Sequence, residues 1–317
     1  MDLYPVKKSI KAFLHGIIKK ISAQGWRLSR FFPFVKPFAE WLGMPPLAPK
    51  GQLALIEART VNFKLELSEK DPSISPRIFA NRIWEKQETY LLENILEPGA
   101  YVLDLGAHFG YYSILAGKKV GPKGRVFAFE PDEFNFGILK RNIALNQLDG
   151  IVIPIQKAVG NRNEVKILYG ASASDSSDRI LFPTGEEKVS QQIECVRVDD
   201  YLESHDPEAL SKIRVVKMDV EGFEVFALEG LKKILESPEI TLFTEINYRR
   251  ISQAGTSAEI YLRELVSLGF YIYTINPREE EKESALLEIP IADLAKEAEY
   301  HVDLYCTKSK IHFGPSL

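Results

Sequence analysis

The feature that most constrains the fold is an alternation of short apolar runs with amphipathic stretches. The runs are "YVLDLG" (101–106), "RVFAFE" (125–130), "IVIPIQ" (151–156), "RVVKMDV" (214–220) and "TLFTEI" (241–246). Between most of them lie helical patterns such as "NFGILKRNIALNQ", "EVFALEGLKKILE" and "AEIYLRELVSLG". Strands apolar on both faces need cover on both faces, and intervening helices supply it. The pattern predicts a doubly wound α/β fold. Two later runs, "FYIYTIN" and "HVDLYCTK", lack a good helical crossover and are expected to close the sheet as an antiparallel, hairpin-like edge. A further pair, "EVKILYG" and "QIECVRV", flanks a long polar loop, "ASASDSSDRILFPTGEEK".

Ahead of this core the chain divides into two parts. Residues 51–100 read as a lead-in: a strand over "TVNFKLEL", then one helix over "FANRIWEKQETYLLENIL". Residues 1–50 read as a basic, aromatic helical extension ending in a Pro/Gly linker. There Ile10, Phe13, Leu14, Ile17, Ile18 and Ile21 keep helical spacing, with lysines elsewhere around the wheel. Such a helix suits either a membrane surface, whose headgroups accept aromatic rings and attract lysines, or packing on the body or a second subunit. Peripheral membrane contact and homo-oligomer contact through residues 1–45 are both carried forward.

Charge narrows the function classes. The net charge is −4, yet residues 1–50 hold nine Lys/Arg against Asp2 and Glu40, so the remainder carries −11. A mildly acidic body argues against a dedicated nucleic-acid binder, which needs a basic face to displace counterions. Cys195 and Cys306 lie in apolar strands without metal-ligand spacing and are expected to be buried free thiols, suiting a reducing cytoplasm. No 18-residue apolar run marks a spanning helix.

In an open α/β sheet, ligands bind beyond the carboxyl ends of the strands, near the reversal of strand order. The first such end carries Asp104, Gly106, His108 and Gly110, in "VLDLGAHFGYYS". A dinucleotide loop needs G-x-G-x-x-G, and His108 occupies the second glycine position. The G-x-x-x-G spacing suits a phosphate-free ligand lying against backbone at Gly106 and Gly110, with Asp104 accepting a hydrogen bond. Glu130, ending the second strand, stands where a carboxylate takes both hydroxyls of a ribose. Together these features describe S-adenosylmethionine as cofactor.

The segments "VLDLGAHFGYYS", "VFAFEPDEFNF", "VVKMDVEGFE" and "LFTEIN", in this order, resemble the FkbM family of class I S-adenosylmethionine-dependent methyltransferases over residues 80–306. The resemblance implies a Rossmann-like, seven-stranded sheet with its last strand antiparallel, forming a methyltransferase domain over 101–317. It implies O-methylation of a sugar, glycolipid or natural-product hydroxyl. Asp104, Gly106, Ala107, Gly110 and Ser113 match the family's D-x-G-A-N-x-G-x-x-[ST], and His108 replaces the usual Asn. Carried over, Asp104 and Gly106 would face the methionine moiety, Glu130 and Pro131 the ribose, and Lys157 and Ala158 of "QKAV" the adenine. His108, Gly110, Ser113 and Asp219 complete the implied cofactor set. Asn135 and Asn142 are further candidates, for a second layer of contacts or for the surface. The family's K-x-D-x-E-G-x-E stands here as Lys217, Asp219, Glu221, Gly222 and Glu224, and its fifth-strand acid as Glu245, followed by Asn247.

Methyl transfer to a hydroxyl needs alignment and removal of a proton. Asp219, Glu221 or Glu245 could be the general base, with His108 a further candidate. Alternatively Asp219, Glu245 and Asn247 could hold Mg²⁺, or the cluster is structural, with Lys217 neutralising an acid and Glu221 capping the helix near Phe223. Two other classes compete: an NAD-linked oxidoreductase or epimerase, and a non-catalytic binding module on the same fold. The acceptor is expected to be a small molecule, glycan or lipid-linked hydroxyl.

Overall fold

The computed structural model describes residues 53–68, 70–71, 73–172, 175–183, 188–275, 286–295 and 301–311. The basic extension over 1–50 and the acidic run 278–283 lie outside them. The chain enters through a hairpin of β1 (Leu53–Glu57) and β2 (Asn62–Glu66), then α1 (Ile74–Asn81) and α2 (Lys86–Ile95). It continues as β3 (Tyr101–Leu105), α3 (Tyr111–Val120), β4 (Arg125–Phe129), α4 (Glu133–Leu145) and β5 (Val152–Ile155). An excursion follows through β6 (Ala158–Val159), β7 (Glu164–Ser172), β8 (Asp175–Ile180) and β9 (Lys188–Val196). The second half runs α5 (Val198–His205), α6 (Pro207–Lys212), β10 (Ile213–Met218), α7 (Glu224–Gly230), α8 (Lys232–Leu235) and β11 (Thr241–Asn247). Last come α9 (Tyr248–Gln253), α10 (Ala258–Ser267), β12 (Tyr271–Ile275), β13 (Leu286–Leu287), α11 (Ile291–Leu294) and β14 (His301–Thr307).

The central sheet has the order β13-β12-β14-β11-β10-β3-β4-β5. Strands β5, β4, β3, β10 and β11 are mutually parallel. The chain winds outward from β3 to β5, then returns to lay β10 on the other side of β3, so the order reverses between β3 and β10. The carboxyl ends of those two strands are therefore where a ligand site belongs. Leu103, Leu105, Val216 and Met218 are fully buried at this centre, as strands covered by helices on both faces require. Truncating one such leucine to alanine costs about 2–5 kcal/mol.

The fold class follows the expectation, and two details differ. The described sheet has eight strands, because Leu286–Leu287 adds a short one antiparallel to β12. Strand β14 does pair antiparallel with β12, but it also pairs with β11 and so lies inside the sheet. Its sequence explains this: Leu304, Tyr305 and Cys306 are consecutive buried residues, so the strand must be covered on both faces. The runs "EVKILYG" and "QIECVRV" form β7 and β9 of a separate sheet of order β6-β9-β7-β8.

The lead-in shares its core with the main sheet: Ala54, Ile56, Phe63, Leu65, Ile78 and Leu92 pack in one cluster with Val102, Ile114 and Val126. Asn142 of α4 and Asn146, the residue after its end, fasten β2 in place. Their side-chain oxygens accept the N–H groups of Glu66 at 2.6 Å and Lys64 at 3.1 Å, and Asn142 donates to the Phe109 carbonyl at 2.8 Å. Asn142 is thus a structural clamp. The single helix expected over "FANRIWEKQETYLLENIL" is broken in two, because Arg82 (φ 61°) and Glu85 (φ 39°) are left-handed. Each such non-glycine residue costs about 1–2 kcal/mol. Partners at the break offset this: Trp84 N–H donates to the Tyr111 hydroxyl at 3.1 Å, and Tyr112 donates to Glu85 at 2.7 Å.

Candidate active site

The turn leaving β3 is built around the end of β4. The N–H groups of Gly106 and Ala107 both donate to the Phe129 carbonyl at 2.9 Å. The chain then turns left-handed at His108 (φ 52°), whose N–H donates to Glu130 Oε2 at 2.7 Å. Asp132 N–H donates to the other oxygen, Oε1, at 2.9 Å, and Asp132 itself caps α4 by accepting from Asn135 N–H at 3.0 Å. Glu130 is therefore a nearly buried carboxylate fixed by two backbone donors. It lines a cavity of about 100 Å³ together with Gly106, His108, Pro131, Lys157 and Asp219.

The left-handed turn also explains His108. Asn, Asp and His are the side-chain-bearing residues that enter this region most readily, so histidine replaces the family's asparagine without changing the backbone. The glycines also allow close packing within the protein. A Cβ on Gly106 (φ +85°) would stand 1.9 Å from the Asp219 carbonyl oxygen, and one on Gly110 (φ +96°) 2.6 Å from Leu139 Cδ1. Gly106 thus lets β3 and β10 approach each other. Gly110, read from the sequence as a ligand contact, is the first residue before α3 and packs on α4.

Asp104 and Ser113 lie behind the cavity wall. Both are buried, and the Ser113 hydroxyl donates to Asp104 Oδ2 at 2.5 Å. Burial lifts the Asp104 carboxyl to about 6, against the pull of Ser113 and Lys217. Ala158 lines the cavity, and Lys157 does so while paired with Glu194.

A second cavity, of about 450 Å³, opens on the other side of Asp219 and Glu221. Its walls include Trp84, Glu85, Glu88, Glu245, Asn247 and Asp303, and it shares Ile74, Asp219 and Glu221 with the first. Lys217 is buried beneath it, with its ammonium 3.2 Å from Glu88 Oε1 and 3.9 Å from Asp219 Oδ2. Burial works against that charge, but Glu88, Asp219, Glu85 and Asp303 outweigh it and hold the lysine well above its usual range. Burial, then Asp219, Glu221, Glu224 and Asp303, push the Glu245 carboxyl well above the ordinary carboxylate range.

Of the residues read from the sequence, Asp219, Glu221, Glu245 and Asn247 meet at this second cavity, and His108 and Asp219 reach the first. The residues of the expected Mg²⁺ set, Asp219, Glu245 and Asn247, all line this cavity. The Asn247 side-chain oxygen also accepts Arg250 N–H at 3.2 Å as the cap of α9. The loop before α7 is tied by Glu224 rather than Glu221: Glu224 Oε1 accepts the N–H groups of Gly222 at 3.1 Å and Val220 at 3.2 Å. Burial raises Glu224 to about 7. Sequence reading passed over Glu85, Glu88 and Asp303, whose carboxylate oxygens lie within 4.8 Å of one another. An acid inside the apolar strand "HVDLYCT" and two glutamates three apart beside Trp84 were the available signals.

The Methyltransferase FkbM domain matches residues 104–283, more than half of the chain. The chain belongs to the FkbM methyltransferase family. This FkbM-family protein is 30% identical over 162 residues to the hexuronic acid methyltransferase AglP of Haloferax volcanii, covering 48% of this chain and 59% of that one. It is 24% identical over 161 residues to the methyltransferase sdnD of Sordaria araneosa, covering 43% and 62%. It spans about three fifths of the length of these curated relatives. Solved structures resemble it loosely: the methyltransferase FkbM of Methylobacillus flagellatus is 15% identical with a TM-score of 0.40, covering 75% of this chain and 55% of that one. A Thermotoga maritima SAM-dependent O-methyltransferase is 11% identical with a TM-score of 0.39, covering 84% and 97%. Among the described residues no helix is long and apolar enough to cross a membrane.

Proposed function

We propose that this protein transfers the methyl group of S-adenosylmethionine to a hydroxyl of a sugar, glycolipid or similar polyhydroxylated acceptor. The observation that carries the reading is the pair of cavities meeting at Asp219 and Glu221, one walled by the clamped Glu130 and the other by polar side chains. The donor set of the smaller cavity fits S-adenosylmethionine. Glu130 offers two fixed oxygens to a ribose diol, and the apolar neighbours Ala158, Val159 and Leu168 suit a purine face. When bound, S-adenosylmethionine supplies a methyl group on a positively charged sulfur.

The chain's own residues orient the acceptor and move its proton. Asp219 and Glu221 stand where the two cavities join, so a hydroxyl entering from the larger one meets a carboxylate able to take its proton. Lys217, held protonated 3.9 Å from Asp219, favours negative charge developing on the acceptor oxygen. Glu245, with its neutral form favoured, offers a proton for a hydrogen bond to a neighbouring acceptor oxygen. A dinucleotide finds less support here, because the His108 N–H that would face a pyrophosphate is given to Glu130, whose charge would repel it.

The test is transfer of labelled methyl from S-adenosylmethionine to glycolipid and nucleotide-sugar fractions by the full chain. Label in alkali-stable methyl ethers supports the reading; label in esters, in nitrogen or in no fraction while NAD is consumed overturns it.

A further inference from the structure

We infer that Trp84 is the acceptor-binding platform of the larger cavity, on which a pyranose ring of the acceptor lies by its C–H face. The first observation is the origin of the cavity wall. Most of it comes from residues 73–88 of the lead-in, joined by His301 and Asp303 of β14, all outside the family match over 104–283. The lead-in, rather than the family motifs, thus shapes most of the space an acceptor enters.

The second observation is the strain at which Trp84 is displayed. Left-handed Arg82 (φ 61°) and Glu85 (φ 39°) bracket it, and strain of this kind persists only where the surroundings enforce it. Here they do. The Trp84 N–H donates to the Tyr111 hydroxyl at 3.1 Å, its carbonyl accepts the Thr89 hydroxyl at 2.6 Å, and Glu85 accepts the Tyr112 hydroxyl at 2.7 Å. A continuous helix over this stretch would avoid both left-handed residues. The break instead leaves Trp84 half-buried, packed against the core and lining the cavity. The exposed Arg77 guanidinium stands 5.9 Å from the ring centre, near the limit of a cation–π contact, so a ligand can displace it.

Ring and surroundings together define the ligand. The indole offers a broad, electron-rich face, and hydrogen-bonding side chains such as Asp219, Glu221, Glu245 and Asn247 line the same cavity. The complement is a molecule with one apolar face and a hydroxyl-bearing edge. A pyranose has both: its axial C–H groups form a slightly positive patch, and its hydroxyls radiate from the rim. An acyclic polyol lacks the face, and a flat phenol lacks the circle of hydroxyls. That the stacked sugar is a methyl acceptor rests on the proposed methyltransferase reading; that a pyranoside stacks on Trp84 does not.

The experiment is saturation-transfer difference NMR of the full chain with methyl glucopyranoside, galactopyranoside and mannopyranoside as probes, beside sorbitol and catechol. The expected result is transfer to the ring C–H protons of at least one pyranoside and much less to sorbitol or catechol. The same pyranoside should change tryptophan emission, and that change should vanish in Trp84→Phe. Because phenylalanine keeps an aromatic face, Trp84→Phe should retain the transfer, whereas Trp84→Ala should weaken affinity about tenfold or more. No transfer to any pyranoside, equal affinity in Trp84→Ala, or sorbitol or catechol bound as well as the best pyranoside, overturns the platform. If circular dichroism shows that Trp84→Ala fails to fold, the emission change of the unmodified chain set against Trp84→Phe decides. Calorimetry with S-adenosylhomocysteine on the same sample separates the two claims: its binding without pyranoside stacking removes only the platform, and the converse removes only the methyltransferase reading.

Discussion

His108 and Glu130 are held together through backbone: the His108 N–H donates to Glu130 Oε2 at 2.7 Å while His108 itself is left-handed at φ 52°. The turn after β3 thereby fixes the carboxylate at the end of β4. What matters at position 108 is a residue that tolerates positive φ. His108→Asn should leave the unfolding free energy within about 0.5 kcal/mol and keep S-adenosylhomocysteine affinity. His108→Val should cost about 1–2 kcal/mol and weaken binding. Urea unfolding with calorimetry checks this, and equal behaviour of the two variants would show that the backbone angle is not the constraint.

Asp104 makes stability depend on pH in a defined direction. Burial raises its carboxyl from 3.8 to about 6, so the folded protein holds a proton that the unfolded chain releases. Its contribution is therefore lost as pH rises from about 4 to about 6, and the full cost, at most about 3 kcal/mol, remains above that window. Glu224, raised from 4.5 to about 7, has the same sign. Asp104→Asn keeps an acceptor for Ser113 and removes the titration, so its stability relative to the unmodified protein should improve by about 1–3 kcal/mol between about pH 4 and pH 7.5. Parallel stability curves would contradict the burial argument.

Gly106→Ala should be severely destabilising. The new Cβ would stand 1.9 Å from a backbone oxygen of Asp219, at a φ that alanine avoids. A loss of about 4 kcal/mol or more is expected, against about 1–2 kcal/mol for Gly255→Ala, where φ is also +85° but nothing lies within 4 Å. Denaturant midpoints compare the two, and similar losses would mean that strands β3 and β10 need not approach so closely.

Asp219→Asn separates chemistry from binding. If Asp219 rather than Glu221 is the carboxylate proposed to take the acceptor proton, the variant should lower kcat about 10²–10⁴-fold with a much smaller change in acceptor KM. A rise in KM at constant kcat would assign Asp219 to acceptor binding instead.

The parallel core was legible in the sequence because β3, β4, β10 and β11 are apolar on both faces and end in polar residues. So was Glu130, placed by the end of a strand. The larger cavity was much less so. Glu85 and Glu88 sit in a stretch with unbroken helical spacing, and the left-handed break at Arg82 and Glu85 that brings them to the site is set by tertiary partners, the hydroxyls of Tyr111 and Tyr112. Asp303 is distant in sequence and joins them only because β14 inserts beside β11. Gly106 and Gly110 were visible as a tight turn; Gly106 lines the smaller cavity, and the packing of both glycines against Asp219 and Leu139 depends on elements distant in sequence.

The measurement that tests the account most directly is calorimetric titration of the full chain with S-adenosylhomocysteine, set beside Glu130→Ala. The account predicts one site in the unmodified protein and an affinity loss of about tenfold or more in the variant, as removal of a charge-assisted hydrogen-bond acceptor should give. No binding by the unmodified protein, or equal binding by Glu130→Ala, would contradict it.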